Sequence, residues 1–221
     1  MDGGGGFPID LILFGMIAAF LVLRLRSILG RRTGYQPPPA AYQPPASPAS
    51  PVIDGRAEPA SPATSRTLPD PLGPAGQILA SMHASDPSFD PAGFLNGAEQ
   101  AFRMIVAAFA RGDRAALRPL LSDNTYAAFD GAITTREAAG QTQVSEVRAI
   151  QSATIEQAEL HGNLAKLTVR FVSDQISLTQ DAGGAPVAGT DAVTELVDLW
   201  SFERDLTAPD PIWRLVAASS A

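Results

Sequence analysis

Apolar residues between positions 94 and 133 recur every three or four residues, which is the spacing of one face of a helix. The longest stripe predicts a first helix, whose apolar face is made of Phe94, Ala98, Phe102, Ile105 and Phe109. Gly112 is expected to end this helix, and Asp113 to cap a second one that carries Leu117, Leu120 and Leu121. A third, short helix is predicted after the break at residues 122–124, around Tyr126, Phe129 and Ile133.

After Gly140 apolar and polar residues alternate, which is typical of half-buried strands. Gly162 and Asn163 predict a hairpin turn, entered by a strand that carries Ile155 and Leu160. The strand leaving the turn buries Leu167, Val169 and Phe171, and Ile176 and Leu178 continue the sheet to a loop at residues 181–189. A central strand follows, with Leu196, Trp200 and Phe202 on one face and Val193, Val197 and Leu199 on the other. A last strand is predicted over residues 213–217.

Helices followed by a run of antiparallel strands predict an α+β domain, with the helices packed on one face of a curved sheet.

Near the N-terminus a nearly uncharged apolar run covers residues 7–23. As a helix it spans about 25 Å, and the stems of the arginines that follow can extend it towards the about 30 Å of a hydrocarbon core. A cleaved signal peptide is disfavoured, because the run lacks a basic start and a small-residue cleavage site. We therefore expect an uncleaved transmembrane anchor in contact with membrane lipid through Phe7, Leu11, Leu13, Phe14, Ile17, Phe20 and Leu23.

Basic residues flank only the C-terminal end of this run, and by the positive-inside rule they place that end in the cytoplasm. These residues are Arg24, Arg26, Arg31 and Arg32. The sequence therefore predicts a single-pass membrane protein with its C-terminal domain in the cytoplasm.

Residues 33–74 hold twelve of the nineteen prolines, interspersed with Ala, Ser and Gly. Such a composition buries too little apolar surface to offset the entropy of ordering, so a disordered linker is predicted. The chain then divides into an anchor (1–32), a linker (33–74) and a domain (75–221). The motif PPPAAYQPP, with Tyr42 inside it and Tyr35 just before it, has a second interpretation as a ligand for a proline-binding module, although a spacer is favoured.

The domain has ten basic and eighteen acidic residues, a net charge of −8, which argues against nucleic acid as a partner. The chain has no cysteine, and its two histidines lie far apart in sequence, so no metal site or cofactor is predicted. Tyr126, Asp174 and Asp198 are the candidates for acid–base chemistry, but their spacing forms no recognisable constellation. His161 precedes the hairpin glycine and is expected to be an exposed turn residue. We therefore expect no catalytic residues and no enzymatic activity.

Three blocks of the domain carry a resemblance to a known family: residues 92–129, residues 153–175 and residues 193–219. The most specific pieces are the alternating strand with Leu167, Val169 and Phe171, and the block DLWSFER followed by WRLVA. In order and spacing these blocks resemble the Tim44 family. The resemblance implies the cone-shaped fold of nuclear transport factor two, in which helices and a curved antiparallel sheet enclose a pocket. Mitochondrial members of that family tether an import motor or a ribosome to the inner membrane.

By this resemblance, which includes one helix and a proline-rich spacer before the domain, the protein is expected in the bacterial inner membrane. It is expected to be an adaptor or scaffold that contacts partner proteins, such as translocation or assembly machinery. The competing hypothesis is a binder of an apolar ligand or lipid tail in the cone pocket, and an enzyme is a third. In the ligand hypothesis aromatic residues form the pocket wall and one arginine stands at its mouth, whereas the alternative places the aromatics in the core. These candidate pocket residues are Tyr126, Phe129, Phe171, Trp200, Phe202 and Arg204.

Overall fold

The structure, a computed structural model, describes residues 64–220. The predicted anchor, its four arginines and residues 33–63 of the predicted linker lie outside the described residues. Within residues 64–220, no helix is both long and apolar enough to cross a membrane. The described elements are β1 (Ser65–Thr67), α1 (Pro74–Ser85), α2 (Pro91–Arg111), α3 (Arg114–Leu117), α4 (Asp123–Ala138), β2 (Thr142–His161), β3 (Leu164–Gln180), β4 (Pro186–Asp205) and β5 (Arg214–Ser220).

Helix α2 is the longest helix described and matches the first predicted stripe, whose five apolar residues are all buried. The Asp90 carboxylate caps its N-terminus by accepting hydrogen bonds from the backbone N–H groups of Ala92 and Gly93. Gly112 ends the helix in the left-handed conformation, with φ of 69°. The next helix is capped by Asp113, which accepts from Ala116 N at 3.0 Å. Both predicted helix boundaries are confirmed.

The second helix is shorter than predicted. Helix α3 ends at Leu117, because Pro119 has no N–H to donate along the helix. Leu120 and Leu121 follow it in irregular structure, where Leu121 forms an isolated parallel bridge with Leu215 of β5. The third helix, α4, was predicted to be short but extends over 16 residues. Helix α1 was not predicted.

The sheet has five strands in the order β1-β2-β3-β4-β5, with β1 parallel to β2 and all other neighbours antiparallel. The expected antiparallel sheet is therefore a mixed one. The predicted hairpin is confirmed, with Gly162 at φ of 61°. Register shifts interrupt the β2–β3 ladder at three places, and such bulges bend a strand. Strand β4 lies between β3 and β5 as predicted, but its second face is not buried: Val193 is 57% exposed.

The core lies between α2 and the sheet. A row of aromatic side chains fills this space, in which the resemblance predicted a pocket. The Phe102 ring packs against both Phe171 of β3 and Trp200 of β4, with each pair of ring centroids 4.6 Å apart. Trp200 neighbours Phe202, which meets Phe94 edge-on at 6.0 Å. Such pairs contribute about 0.5–1.5 kcal/mol each beyond the burial of their area.

The boundary predicted at residue 74 differs from the structure, because residues 65–67 of the predicted linker form β1 on the edge of the sheet. Arg66 makes a bidentate ion pair with Glu99 of α2, with Nε–Oε1 of 2.6 Å and Nη2–Oε2 of 3.1 Å. Glu99 is buried, so this pairing compensates a charge that would be costly alone. Residues 65–67 are therefore part of the folded unit.

Candidate binding groove

A groove of about 380 Å³ runs along one side of α2, between that helix and the segment leading into β5. We call it the aromatic groove. It opens to solvent, and two large apolar side chains on its rim are substantially exposed, Met104 at 50% and Ile212 at 41%. The lining is Ser88, Phe89, Asp90, Gly93, Phe94, Gly97, Ala98, Gln100, Ala101, Met104, Leu120, Phe202, Arg204, Pro211, Ile212 and Trp213.

Small residues on α2 create the space. Gly93, Gly97 and Ala101 recur every four residues, so they lie one above another on a single face of the helix. A Cβ atom added to Gly97 would meet no heavy atom within 4 Å, so this glycine borders open space. The absence of large side chains at these three positions leaves room for the groove between the helix and residues 211–213.

Aromatic rings line the groove and connect it to the core. The Trp213 ring centroid lies 4.8 Å from that of Phe94 and 5.8 Å from that of Phe89. Phe94 in turn contacts Phe202, which belongs to the aromatic row beneath α2. Phe89, Phe94 and Phe202 are buried, so they form a floor that does not need to rearrange to accept an apolar group.

Arg204 is the cation of the groove, and its charge is matched inside the protein. Its Nη2 donates a 2.8 Å hydrogen bond to Asp86 Oδ2, and the two side chains are only 10% and 12% exposed. The Ser88 hydroxyl donates to the other oxygen of Asp86 at 2.6 Å. This hydrogen bond lowers the pKa of Asp86, and the contact with Arg204 lowers that pKa further. The ion pair fixes β4 to the end of α1.

Two of the six predicted pocket residues, Phe202 and Arg204, line the aromatic groove. The other four lie elsewhere. Phe171 and Trp200 are buried in the core, and Phe129 packs against Phe109 with ring centroids 5.1 Å apart. Tyr126 is half-buried on α4, with the Arg118 guanidinium 5.0 Å from its ring centroid. Most of the candidate aromatic residues therefore lie in the core and do not form a pocket wall.

The acid–base candidates are not brought together. Asp198 is buried and accepts a 3.2 Å hydrogen bond from Gln175, on the sheet face that α2 covers. Asp174 accepts from Gln151 on the opposite face, and Tyr126 lies on α4. His161 is exposed in the hairpin, as predicted. Residues 64–220 contain no group of three or more metal-ligating side chains placed to hold an ion.

Several residues of the groove were missed at the level of the sequence, above all Trp213, Phe89 and Gly97. A signal for part of the site was present, because Gly93, Gly97 and Ala101 form a stripe of small residues beside the apolar stripe of α2. Nothing in the local pattern reveals that residues 211–213 pack across from this stripe, because that contact spans more than a hundred residues of sequence.

Comparison with known proteins confirms the resemblance. No curated protein sequence matches the chain. Two similar solved structures are the intermembrane space region of the chloroplast protein ARC6 (11% identity, 61% of this chain, 98% of that chain, TM-score 0.44) and an NTF2-like family protein from Streptomyces avermitilis (15% identity, 59% and 96%, TM-score 0.35). The family model described as Tim44-like domain matches residues 75–220. Because this match covers more than half of the chain, the protein belongs to the Tim44-like domain family.

Proposed function

We propose that the protein is a single-pass adaptor of the bacterial inner membrane, which holds a partner protein near the cytoplasmic surface by means of the aromatic groove. Membership of the Tim44-like domain family supports a role in protein–protein contact. The apolar run at residues 7–23, with its arginines on one side, supports the tether and the orientation.

The observation that carries this proposal is the open aromatic groove itself. Apolar side chains exposed around a buried aromatic floor have the character of an interaction site, because aromatic anchors dominate binding energies at protein interfaces. The one arginine of the groove is already paired with Asp86, so the groove favours an uncharged apolar segment over an acidic one. A groove of this size accepts a few side chains, which fits a short segment of a partner.

The same geometry makes the competing functions less well supported. A ligand inside the cone would need the space that Phe102, Phe171 and Trp200 occupy, so an apolar ligand or lipid tail would have to use the aromatic groove. An enzyme would need its acid and base within reach of one substrate, whereas Asp198 and Asp174 lie on opposite faces of the sheet.

Tethering gives the adaptor its effect. An anchored domain with a linker raises the local concentration of a bound partner at the membrane, without any increase in the affinity of the contact. Translocation or assembly machinery of the inner membrane is the class of partner that would gain most from such an increase. Deleting residues 7–23 should therefore abolish function in cells, even though the remaining chain still folds.

Site-specific photo-crosslinking in native membranes tests the groove directly. A photo-reactive amino acid in place of Met104, on the groove rim, should give a discrete protein adduct in the otherwise full-length chain. A second change, Gly97→Leu, places a side chain in the groove, and its Cβ atom meets no heavy atom within 4 Å. It should reduce the adduct at least about tenfold, the loss of about 1.4 kcal/mol of binding.

Gly131→Leu is the matched control. Gly131 also lies exposed in a helix, α4, and an added Cβ atom there likewise meets nothing within 4 Å. Both changes replace a helical glycine by a better helix former, so neither should destabilise the fold. An adduct that persists in the Gly97→Leu protein, or one lost equally in the Gly131→Leu protein, would contradict the proposed role of the groove.

A further inference from the structure

The aromatic groove has the chemistry that recognises a polyproline II segment. Such segments dock into aromatic-lined grooves, and their preformed conformation limits the entropy lost on binding. Phe89, Phe94 and Trp213 supply three neighbouring rings, and Pro211 lies beside them. The groove presents no unmatched cation, so it suits a segment without acidic residues.

The chain carries a segment with this composition. Residues 35–51 read YQPPPAAYQPPASPASP and contain no charged residue. The tetrapeptide YQPP occurs in it twice, at residues 35–38 and 42–45. Its composition predicts polyproline II conformation, in which the backbone carbonyls remain free to accept hydrogen bonds.

The described residues also begin within reach of the groove. Arg66 is held by Glu99, and Glu99 lies on α2 between Gly97 and Ala101, two residues that line the groove. The chain therefore leaves the described part at the edge of the sheet, where the Arg66 side chain contacts the opposite side of α2 from the groove, about one helix width away. A helix with its side chains is about 10–12 Å across, whereas residues 52–64 can span about 40 Å when extended.

We propose that the aromatic groove binds the chain's own segment 35–51 in cis, so that the linker competes with the partner for the groove. This inference rests on the proposed adaptor function. A short flexible connection gives an effective concentration of about 1 mM. Even an intrinsic Kd of about 0.1 mM then keeps the groove about 90% occupied and weakens the apparent affinity of a partner about tenfold.

Two positions on α2 provide a sharp test, because the natural chain has no cysteine. Gln100 lines the groove, whereas Asn96 is exposed on the same helix and lies between Glu99 and the groove around its circumference. An undocked linker held at Arg66 reaches Asn96 at least as easily as Gln100. A linker docked in the groove must instead reach Gln100 more easily than Asn96.

The experiment compares disulfide formation in the full-length chain, reconstituted as single copies in nanodiscs. The chain with Ala41→Cys and Gln100→Cys should form its disulfide at least about tenfold faster than the chain with Ala41→Cys and Asn96→Cys, given the occupancy above. Adding Gly97→Leu should bring the ratio to about one, and adding Gly131→Leu should leave it unchanged. Near-UV circular dichroism of each variant establishes that the fold is retained.

Other results would overturn either the docking of the linker in cis or its competition with the partner. Equal rates at the two positions in the otherwise unmodified chain would overturn docking in cis. Disulfides that form only between a chain carrying Ala41→Cys and a second chain carrying Gln100→Cys would assign the groove to the linker of another copy and also overturn it. Replacing prolines 37–39, 44 and 45 by serine should raise the Met104 photo-adduct about tenfold, and an unchanged yield would overturn the competition with the partner.

The adaptor function and this inference fail separately. Equal disulfide rates together with an adduct that depends on Gly97 would leave the adaptor function standing without linker competition. A fast disulfide at Gln100 without any adduct at Met104 would show a docked linker in a protein that holds no partner through this groove.

Discussion

Replacing Trp200 with alanine should destabilise the domain by about 3–5 kcal/mol, the cost of removing a large ring from a packed core. The Trp200 ring is buried and lies 4.6 Å from Phe102, 6.2 Å from Phe171 and 6.3 Å from Phe202, measured between centroids. Three aromatic contacts are therefore lost together with the buried area. Against a total stability of about 5–15 kcal/mol, this is a large fraction.

Replacing Trp200 with phenylalanine distinguishes the contribution of the ring contacts from that of the indole N–H donor. Within the described residues, the buried Nε1 of Trp200 makes no hydrogen bond, and burying an unsatisfied donor costs about 1–3 kcal/mol. Trp200→Phe keeps most of the ring contacts and removes that donor, so its cost should be less than half that of Trp200→Ala.

Urea unfolding of a fragment comprising residues 64–221 measures both effects. With a slope of about 2 kcal/mol per molar urea, Trp200→Ala should lower the midpoint by roughly 1.5–2.5 M. The chain has two tryptophans, so Trp213 remains as the fluorescence probe in both variants. A loss below about 1 kcal/mol for Trp200→Ala would place the ring at the surface and refute the assignment of the β4 faces. Equal losses for the two variants would refute the argument about the donor.

Two further predictions concern charge. The pKa of Asp86 is lowered in the folded protein, first by the hydrogen bonds from Ser88 and further by Arg204. These contacts therefore contribute stability above the ordinary pKa of about 3.9, and that stability is lost as the pH falls through the lowered value. Asp86→Asn should therefore be less stable than the parent at pH 7, and the difference in their unfolding free energies, measured with urea, should shrink as the pH falls below about 3.9. A difference that does not change with pH would contradict this assignment. For topology, protease added to intact spheroplasts should leave the domain uncut, and inversion or loss of insertion is expected when the four arginines after the anchor are replaced together.

The parts of the fold that could be predicted are those that the chain encodes locally. The α2 stripe, its glycine end and the Asp113 cap all lie within a few residues of the structure they determine. The strands also alternate clearly where one face meets the core. Helix α1 was missed because only Leu79 and Met82 contribute large buried apolar side chains to it, which is too few to mark a helical face.

The groove was predictable only in part, because it depends on contacts that are distant in sequence. Phe202 and Arg204 were identified from the alternation of β4, which places both on one face. Trp213 was assigned to a strand, whereas it precedes β5 and contacts Phe94. The parallel pairing of β1 was also missed, since three polar residues in a proline-rich segment give no apolar pattern.

The small strand β1 has a mechanical consequence for a tethered protein. Under the proposed arrangement, force between the membrane and a bound partner enters the fold at residues 65–67 and at the Arg66–Glu99 ion pair. These contacts are few, whereas β2, β3 and β4 are joined by long ladders. Load would detach β1 first and free at most the ten residues 64–73, whose full extended length is roughly 33 Å, while the core beneath α2 stays folded. Detachment of the edge strand would therefore lengthen the tether before the binding surface deforms.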